Sequence, residues 1–303
     1  MKKNDHIDSQ YGDLVKEILD APKKENRTGV PTYAIACWDI RHDMADGFPL
    51  LTTKKMGMKN IAAELECFIK GFSSKKEFHD RKCFIWDEWC NPQKVPYGND
   101  EASKAKMLAE DDLGRIYGVQ WRDWHKYVKD EATGLYKQES IDQLKKAIDI
   151  LKNDPFGSPG RRNIVSAWNP AELDQMALPP CHFGFQLIVT LSHQGEKVLN
   201  LKWDQRSVDT MLGLPYNIAS YALLLLLLAK EVNMVPGILM GTLGDVHVYE
   251  NHITNAKDQI SREPYKLPTL EITNFTSIWD WKYTDFELVG YKSHPKVDYV
   301  IAV

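Results

Sequence analysis

One stretch, Leu178–Asn217, does most to limit what this chain can become. It opens on Leu178-Pro179-Pro180-Cys181-His182. The paired prolines cannot continue a helix and favour an extended chain, so they set the cysteine on a turn. Two runs of period-two alternation follow, Phe183–Leu191 and Val198–Trp203, joined at His193-Gln194-Gly195, and they read as neighbouring strands. From Asn217 to Val232 the chain is apolar on every side and reads as a buried helix. Its most hydrophobic part, Ile218–Ala229, is too short to cross a bilayer. The pattern therefore calls for a fold that mixes strands with at least one core helix.

The same stretch carries the chemistry. Gln205, Arg206, Ser207 and Asp209 crowd into five positions between the second strand and the helix. Polar groups at that density are costly to bury without a partner. A guanidinium suits a phosphate or carboxylate, and an asparagine such as Asn217, with one donor and one acceptor group, suits the edge of a planar heterocycle. Cys181 on its turn is either a buried structural thiol, the commoner fate of a free cysteine, or a nucleophile. Proximity to Arg206 would favour the second by stabilising the thiolate.

Composition closes off several classes. A net charge of −4 gives no reason to expect a nucleic-acid or membrane surface. Five cysteines, an odd number, with no apolar signal in Met1-Lys2-Lys3-Asn4-Asp5, lead us to expect reduced thiols and a cytoplasmic protein. There is no dinucleotide glycine fingerprint, Walker motif, Cys-x-x-Cys pair or internal repeat. His247, Tyr249 and His252 lack the further ligands a metal site needs, so no metal is expected.

Along the rest of the chain, helical spacing predicts helices over Ile7–Ala21, Lys59–Gly71, Ala102–Glu110 and Ser140–Asn153, and one from Asn169 to Ala177. Tyr33–Ile40 and Ile164–Trp168 read as strands, and Gly47–Lys55 as a turn and strand. Asn91–Asp112 is polar and reads as a surface insertion in a single domain spanning 1–303; a second polar loop runs to Gln138. Glu64 lies between Ile61 and Leu65, at the edge of an apolar face. It is either solvent-facing or a buried carboxyl with a raised pKa. The aromatic run Phe84-Ile85-Trp86-Asp87-Glu88-Trp89 is by default core packing. The tail Tyr299-Val300-Ile301-Ala302-Val303 is apolar and needs somewhere to dock.

Several long strings in one order resemble the thymidylate synthase family. They are Gln205–Asp209, the run from Gly213-Leu214-Pro215-Tyr216-Asn217 through Ala222, and Gly244-Asp245-Val246-His247-Val248-Tyr249-Glu250-Asn251-His252. The resemblance covers roughly Asn26 to Val303 and implies an α+β fold. Its core is a twisted mixed or antiparallel sheet with helices around it, forming a homodimer. It implies that Cys181 adds to the uracil of dUMP and that 5,10-methylenetetrahydrofolate donates one carbon and a hydride to give dTMP. Asn217 would read the base, and Glu64 and Tyr117 would manage protons. Arg27, Arg206, Gln205 and Ser207 would hold the nucleotide, with Arg161 and Arg162 reaching across from the partner subunit. His247 and Tyr249 would bind the sugar, and Asp209 would face both ligands. Ile85, Trp86, Trp89, Leu178, Leu212, Gly213, Tyr216 and Ala302 would surround the folate. Lys54 and Lys55 fall in a region the resemblance gives to the folate tail, and His182 reads as a structural hydrogen-bonding residue.

Four positions depart from the usual pattern: Gly57 for a polar residue, Glu66 for an apolar one, Asp204 for tyrosine and Tyr216 for phenylalanine. Asp204, Tyr216 and Glu66 leave open a hydroxymethylase, in which water rather than hydride captures the methylene intermediate, while Gly57 bears on the folate-tail region. A nucleotide-binding protein without catalysis would not need every matched catalytic position filled, as they are here.

Overall fold

The structure is a computed structural model that describes residues 6–26 and 29–300. At the amino terminus α1 (Ile7–Leu19) buries Ile7, Tyr11, Leu14, Val15 and Ile18 on one face. After the short β1 (Lys23–Lys24), β2 (Thr32–Asp43) crosses the molecule as one of its long strands. Gly47–Lys55, expected as a turn and strand, forms no strand. Buried Asp8 organises this segment instead, accepting hydrogen bonds from the backbone and hydroxyls of Thr52 and Thr53.

Next come α2 (Met58–Lys70), α3 (Lys75–His79), α4 (Glu101–Ala109) and α5 (Tyr117–Arg122). α2 ends on Gly71 in the left-handed region, a conformation that favours glycine at a helix terminus. α5 approaches α2 so closely that a Cβ at Gly118 would lie 2.3 Å from the Phe68 carbonyl.

The segment expected as a second polar loop is a hairpin, β3 (Trp124–Lys129) and β4 (Tyr136–Ile141). Both strands are largely solvent-exposed, so no apolar alternation marked them. The turn is set by Asp130, whose carboxylate accepts from the Ala132 and Thr133 amides, and by Gly134 at positive φ.

α6 (Gln143–Asn153) leads to β5 (Ile164–Ser166). The helix expected over Asn169–Ala177 shrinks to one 3-10 turn, Leu173–Gln175. β6 (His182–Leu191), β7 (Lys197–Asp209), α7 (Gly213–Glu231) and β8 (Val235–Tyr249) then build the centre. α8 (Ile253–Ile260), β9 (Thr269–Ile272) and β10 (Phe286–Val289) complete the chain.

Six strands form one sheet in the order β1-β2-β8-β7-β6-β5, antiparallel except for the parallel pair β7–β8. A parallel pair requires a crossover, and α7 supplies it. At 19 residues α7 is long and apolar enough to cross a membrane, longer than the run read from the sequence. Its apolarity is accounted for by burial: twelve of its residues are in the core. β8 escaped the sequence reading because glycines interrupt its alternation. They are there because neighbours fill the space: a Cβ at Gly241 would sit 2.2 Å from the Trp203 ring, and one at Gly237 would meet Val198 at 2.4 Å. The fold is therefore the expected α+β arrangement, with a mixed, mainly antiparallel sheet and helices packed around it.

Candidate active site

β6 and β7 hold Cys181 and Arg206 side by side. The Arg206 amide donates to the Cys181 carbonyl at 2.8 Å. The guanidinium donates from Nε to the Pro180 carbonyl and from an η nitrogen to the Pro179 carbonyl, both at 2.9 Å. It also lies 5.2 Å from the centre of the Trp168 ring. The two prolines thus do more than extend the chain: they present carbonyls that orient the arginine beside the thiol. Burial pushes the Cys181 thiol above its ordinary range, while Arg206 and a hydrogen bond with Tyr117 pull it back part of the way. The resting group is a thiol held ready beside a cation, not a preformed thiolate.

Tyr117, at the start of α5, fixes this loop from behind. Its hydroxyl accepts from the Cys181 amide at 2.9 Å. Its ring stacks on His182 at 4.3 Å, and His182 Nδ1 meets the Tyr221 hydroxyl at 2.9 Å. Burial drives the His182 pKa down to about 3, so it stays neutral and structural, as the sequence suggested. Glu64, on α2, is half-buried and accepts from the Trp86 indole at 2.9 Å. Burial raises its pKa to about 7, and the Trp86 hydrogen bond only partly opposes that.

Asn217 owes its orientation to a relay. The Trp203 indole N–H, which can only donate, points at Gln205 Oε1 at 3.2 Å. Gln205 Nε2 must then be the donor, and it reaches the Ser207 carbonyl and Asn217 Oδ1, both at 3.1 Å. The Asn217 amide nitrogen is left as the group to offer a ligand. A heterocycle with a carbonyl there accepts it; one with an exocyclic amine cannot.

Of these residues, Pro179, Cys181, Arg206 and Ser207 border a cleft of about 690 Å³, and the others stand behind them. Its polar lining comes from the strands and the loops at their ends: Arg206, Ser207, His247 and Tyr249, with Lys24 and Asp245. Its apolar lining comes from elsewhere, from Trp89, Pro92 and Tyr97 and from Leu173, Met176 and Leu178. Cys181 and Asp209 line it too. One Asp209 oxygen accepts the Met211 and Leu212 amides at 3.1 and 3.0 Å, shaping the entry to α7. Gly213 is tucked beneath, with a Cβ position 3.7 Å from Asn217 Oδ1.

Other expected residues stand further back. Trp86 packs edge-on to Tyr117 at 5.9 Å, and Ile85 is exposed. The Tyr216 hydroxyl lies 3.6 Å from where a Gly57 Cβ would be, so two departures from the family pattern occupy one space. Arg161 and Arg162 are exposed on a 3-10 turn (Gly160–Arg162), and Arg162 borders a separate hollow with Trp124 and Ile164. A single chain does not bring them to Cys181. Arg27 and Ala302 lie outside the described residues. Lys54 does not reach outward for a ligand: it is buried, donates to the Met211 carbonyl, and desolvation lowers its pKa to about 8 despite Asp209. Among the described residues no group of acidic, histidine or cysteine side chains is placed to hold a metal.

Lys24, Asp245 and Tyr97 are among the cleft residues not singled out from the sequence. Lys24 bonds Asp245 at 2.9 Å, and Asp245 bonds His247 at 3.1 Å. Burial opposes the Asp245 charge, but Lys24 and His247 hold its pKa below the usual value. Two residues before His247 on the same strand face, Asp245 was legible by alternation. Tyr97, inside the presumed insertion, gave no signal.

Residues 9–303 match the family profile described as thymidylate synthase. The chain is also 41% identical over 305 residues to a bifunctional dihydrofolate reductase-thymidylate synthase of Paramecium tetraurelia. The alignment covers 99% of this chain and 62% of that protein, so the chain spans less than two thirds of that relative's length. With the motifs, the sheet and the cysteine cleft all in place, the chain belongs to the thymidylate synthase family.

Proposed function

We propose that this protein methylates dUMP to dTMP with 5,10-methylenetetrahydrofolate as the source of both carbon and hydride. The observation that carries the reading is Cys181 in a cleft with Arg206 and Ser207, next to an asparagine whose free amide nitrogen suits a uracil carbonyl. The Cys181 sulfur adds to C6 of the ring, and charge moves toward O4, where the Asn217 amide stabilises it. C5 then takes the one-carbon unit. Glu64, divided between its two protonation states near neutrality, exchanges protons with the ring through water, with Tyr117 holding the cysteine loop in place. Hydride transfer and loss of the sulfur release dTMP and dihydrofolate. Arg206 and Ser207 take the phosphate, joined by Arg27, and His247 and Tyr249 take the sugar hydroxyl. No metal has a part in this scheme.

A homodimer completes the site in this proposal. The sheet face away from α7 carries exposed Ile188 and half-buried Ile238 and Met240, a surface suited to a second copy. Arg161 and Arg162 would then reach the partner's phosphate. The reaction involves no nucleic acid or membrane, and we place it in the cytoplasm.

Two of the departures that left room for a hydroxymethylase are engaged elsewhere. Glu66 is buried with Arg81 at 2.7 Å and Lys70 at 2.9 Å, and it accepts from the Tyr283 amide at 2.7 Å. Asp204 pairs with Lys202 on β7. Neither borders the cleft described above, which leaves methylation the better-supported outcome. Incubation with dUMP and methylenetetrahydrofolate tests it. A product heavier by a methyl group, with dihydrofolate formed in equal amount, supports the reading; a hydroxymethyl product or none overturns it.

A further inference from the structure

The stretch 91–112 begins and ends at one neck. The Asn91 amide nitrogen donates to the Asp112 carbonyl at 2.8 Å, and the Asn91 side chain donates to the Asp112 carboxylate at 3.0 Å. Lys94 closes the same neck, 2.8 Å from Asp112. Further out, α4 is tied down by Lys75, which is buried and donates to the Met107 carbonyl at 2.7 Å and the Asp87 carbonyl at 2.9 Å. So anchored, the arm carries one aromatic residue to the cleft. Tyr97 keeps 42% of its surface exposed, yet its hydroxyl is held by the carbonyls of Cys90, at 2.9 Å, and Ala177. Its ring lies 6.0 Å from that of Trp89.

From this geometry we infer that Tyr97 is a specificity-determining residue for the co-substrate, an aromatic wall that the arm adds to the folate side of the cleft. The inference rests on the functional reading above. An aromatic face that is open on one side and tethered at its hydroxyl loses little rotational freedom when another ring packs on it. The nucleotide is a poor match for this wall, since the polar groups come from the strands and the loops at their ends. The aromatic part of a folate is a good one, because Trp89, Pro92, Tyr97 and Leu178 form a largely apolar surface. Through Ala177 the same hydroxyl also grips the loop that leads to Cys181.

Calorimetric titration of the full chain with dihydrofolate, in the presence of dUMP, tests this without requiring turnover. Tyr97→Ala should weaken dihydrofolate binding about tenfold while the dUMP dissociation constant stays within twofold. Tyr97→Phe, which keeps the ring, should retain most of the affinity. If Tyr97→Ala leaves dihydrofolate binding within twofold, or weakens both ligands equally, the inference fails and the arm is only a brace for the cysteine loop. A wild-type protein that binds both ligands but yields no dTMP would overturn the functional reading and leave this one standing.

Discussion

Glu64 shows how a single carboxyl links stability to chemistry. Its folded-state pKa of about 7 lies above the ordinary value of 4.5. The protonated form therefore favours the fold, fully so below about pH 4.5, and that contribution is lost as the pH rises through 7. Glu64→Gln should remove this penalty and gain about 1–3 kcal/mol of stability at pH 8, less the share that water screens at a half-buried position. Urea denaturation at pH 5 and pH 8 would read the difference. The same variant should lose about 100-fold in turnover, and its pH profile should lose the limb near 7. Cys181 gives a second test. Removing the charge with Arg206→Ala should push the thiol further up, so that alkylation of Cys181 at pH 8, followed by peptide mass, becomes slower than in the wild type. At this scale the candidate positions came from the family resemblance, since residue type and spacing left Cys181 open between a structural thiol and a nucleophile. Their orientation was not legible: nothing in the sequence said that Trp203, through Gln205, decides which way the Asn217 amide faces.

Among the elements, those with an internal period were legible and those shaped by neighbours were not. α1, α2, α6, β6 and β7 carry their own alternation or helical stripe. β8 does not, because Gly237 and Gly241 make room for side chains of the adjacent strand. The β3–β4 hairpin does not either, since neither of its faces meets the core. The contact between α2 and α5 offers a direct test of packing. Gly118→Ala places a methyl group against the Phe68 backbone, and the shift needed to relieve it should cost about 2–3 kcal/mol and lower the melting temperature by several degrees. Because α5 also carries Tyr117, turnover should fall in the same variant below its melting point.

At the scale of the whole molecule, the proposal of a shared site makes a sharp prediction. An Arg161→Ala, Arg162→Ala protein and a Cys181→Ser protein should each be nearly inactive. Mixed, unfolded and refolded together, they should regain about a quarter of wild-type activity, since half the dimers pair unlike subunits and each such dimer holds one intact site. No recovery would mean that the arginines do not serve the partner's site, and full activity of the Arg161→Ala, Arg162→Ala protein on its own would place them outside the chemistry.

β7, α7 and β8 follow one another without interruption, and between them they supply Arg206, Ser207, Asp209, Asn217 and His247. The apolar wall of the cleft is gathered from distant places: Trp89, the arm with Tyr97, and the stretch around Leu178. Under the proposed function, the nucleotide's cradle would take shape from near neighbours as the chain collapses, whereas the folate's would wait for remote segments to meet. Damage that loosens the periphery should then spare recognition of the pyrimidine and first erode the grip on the carbon donor.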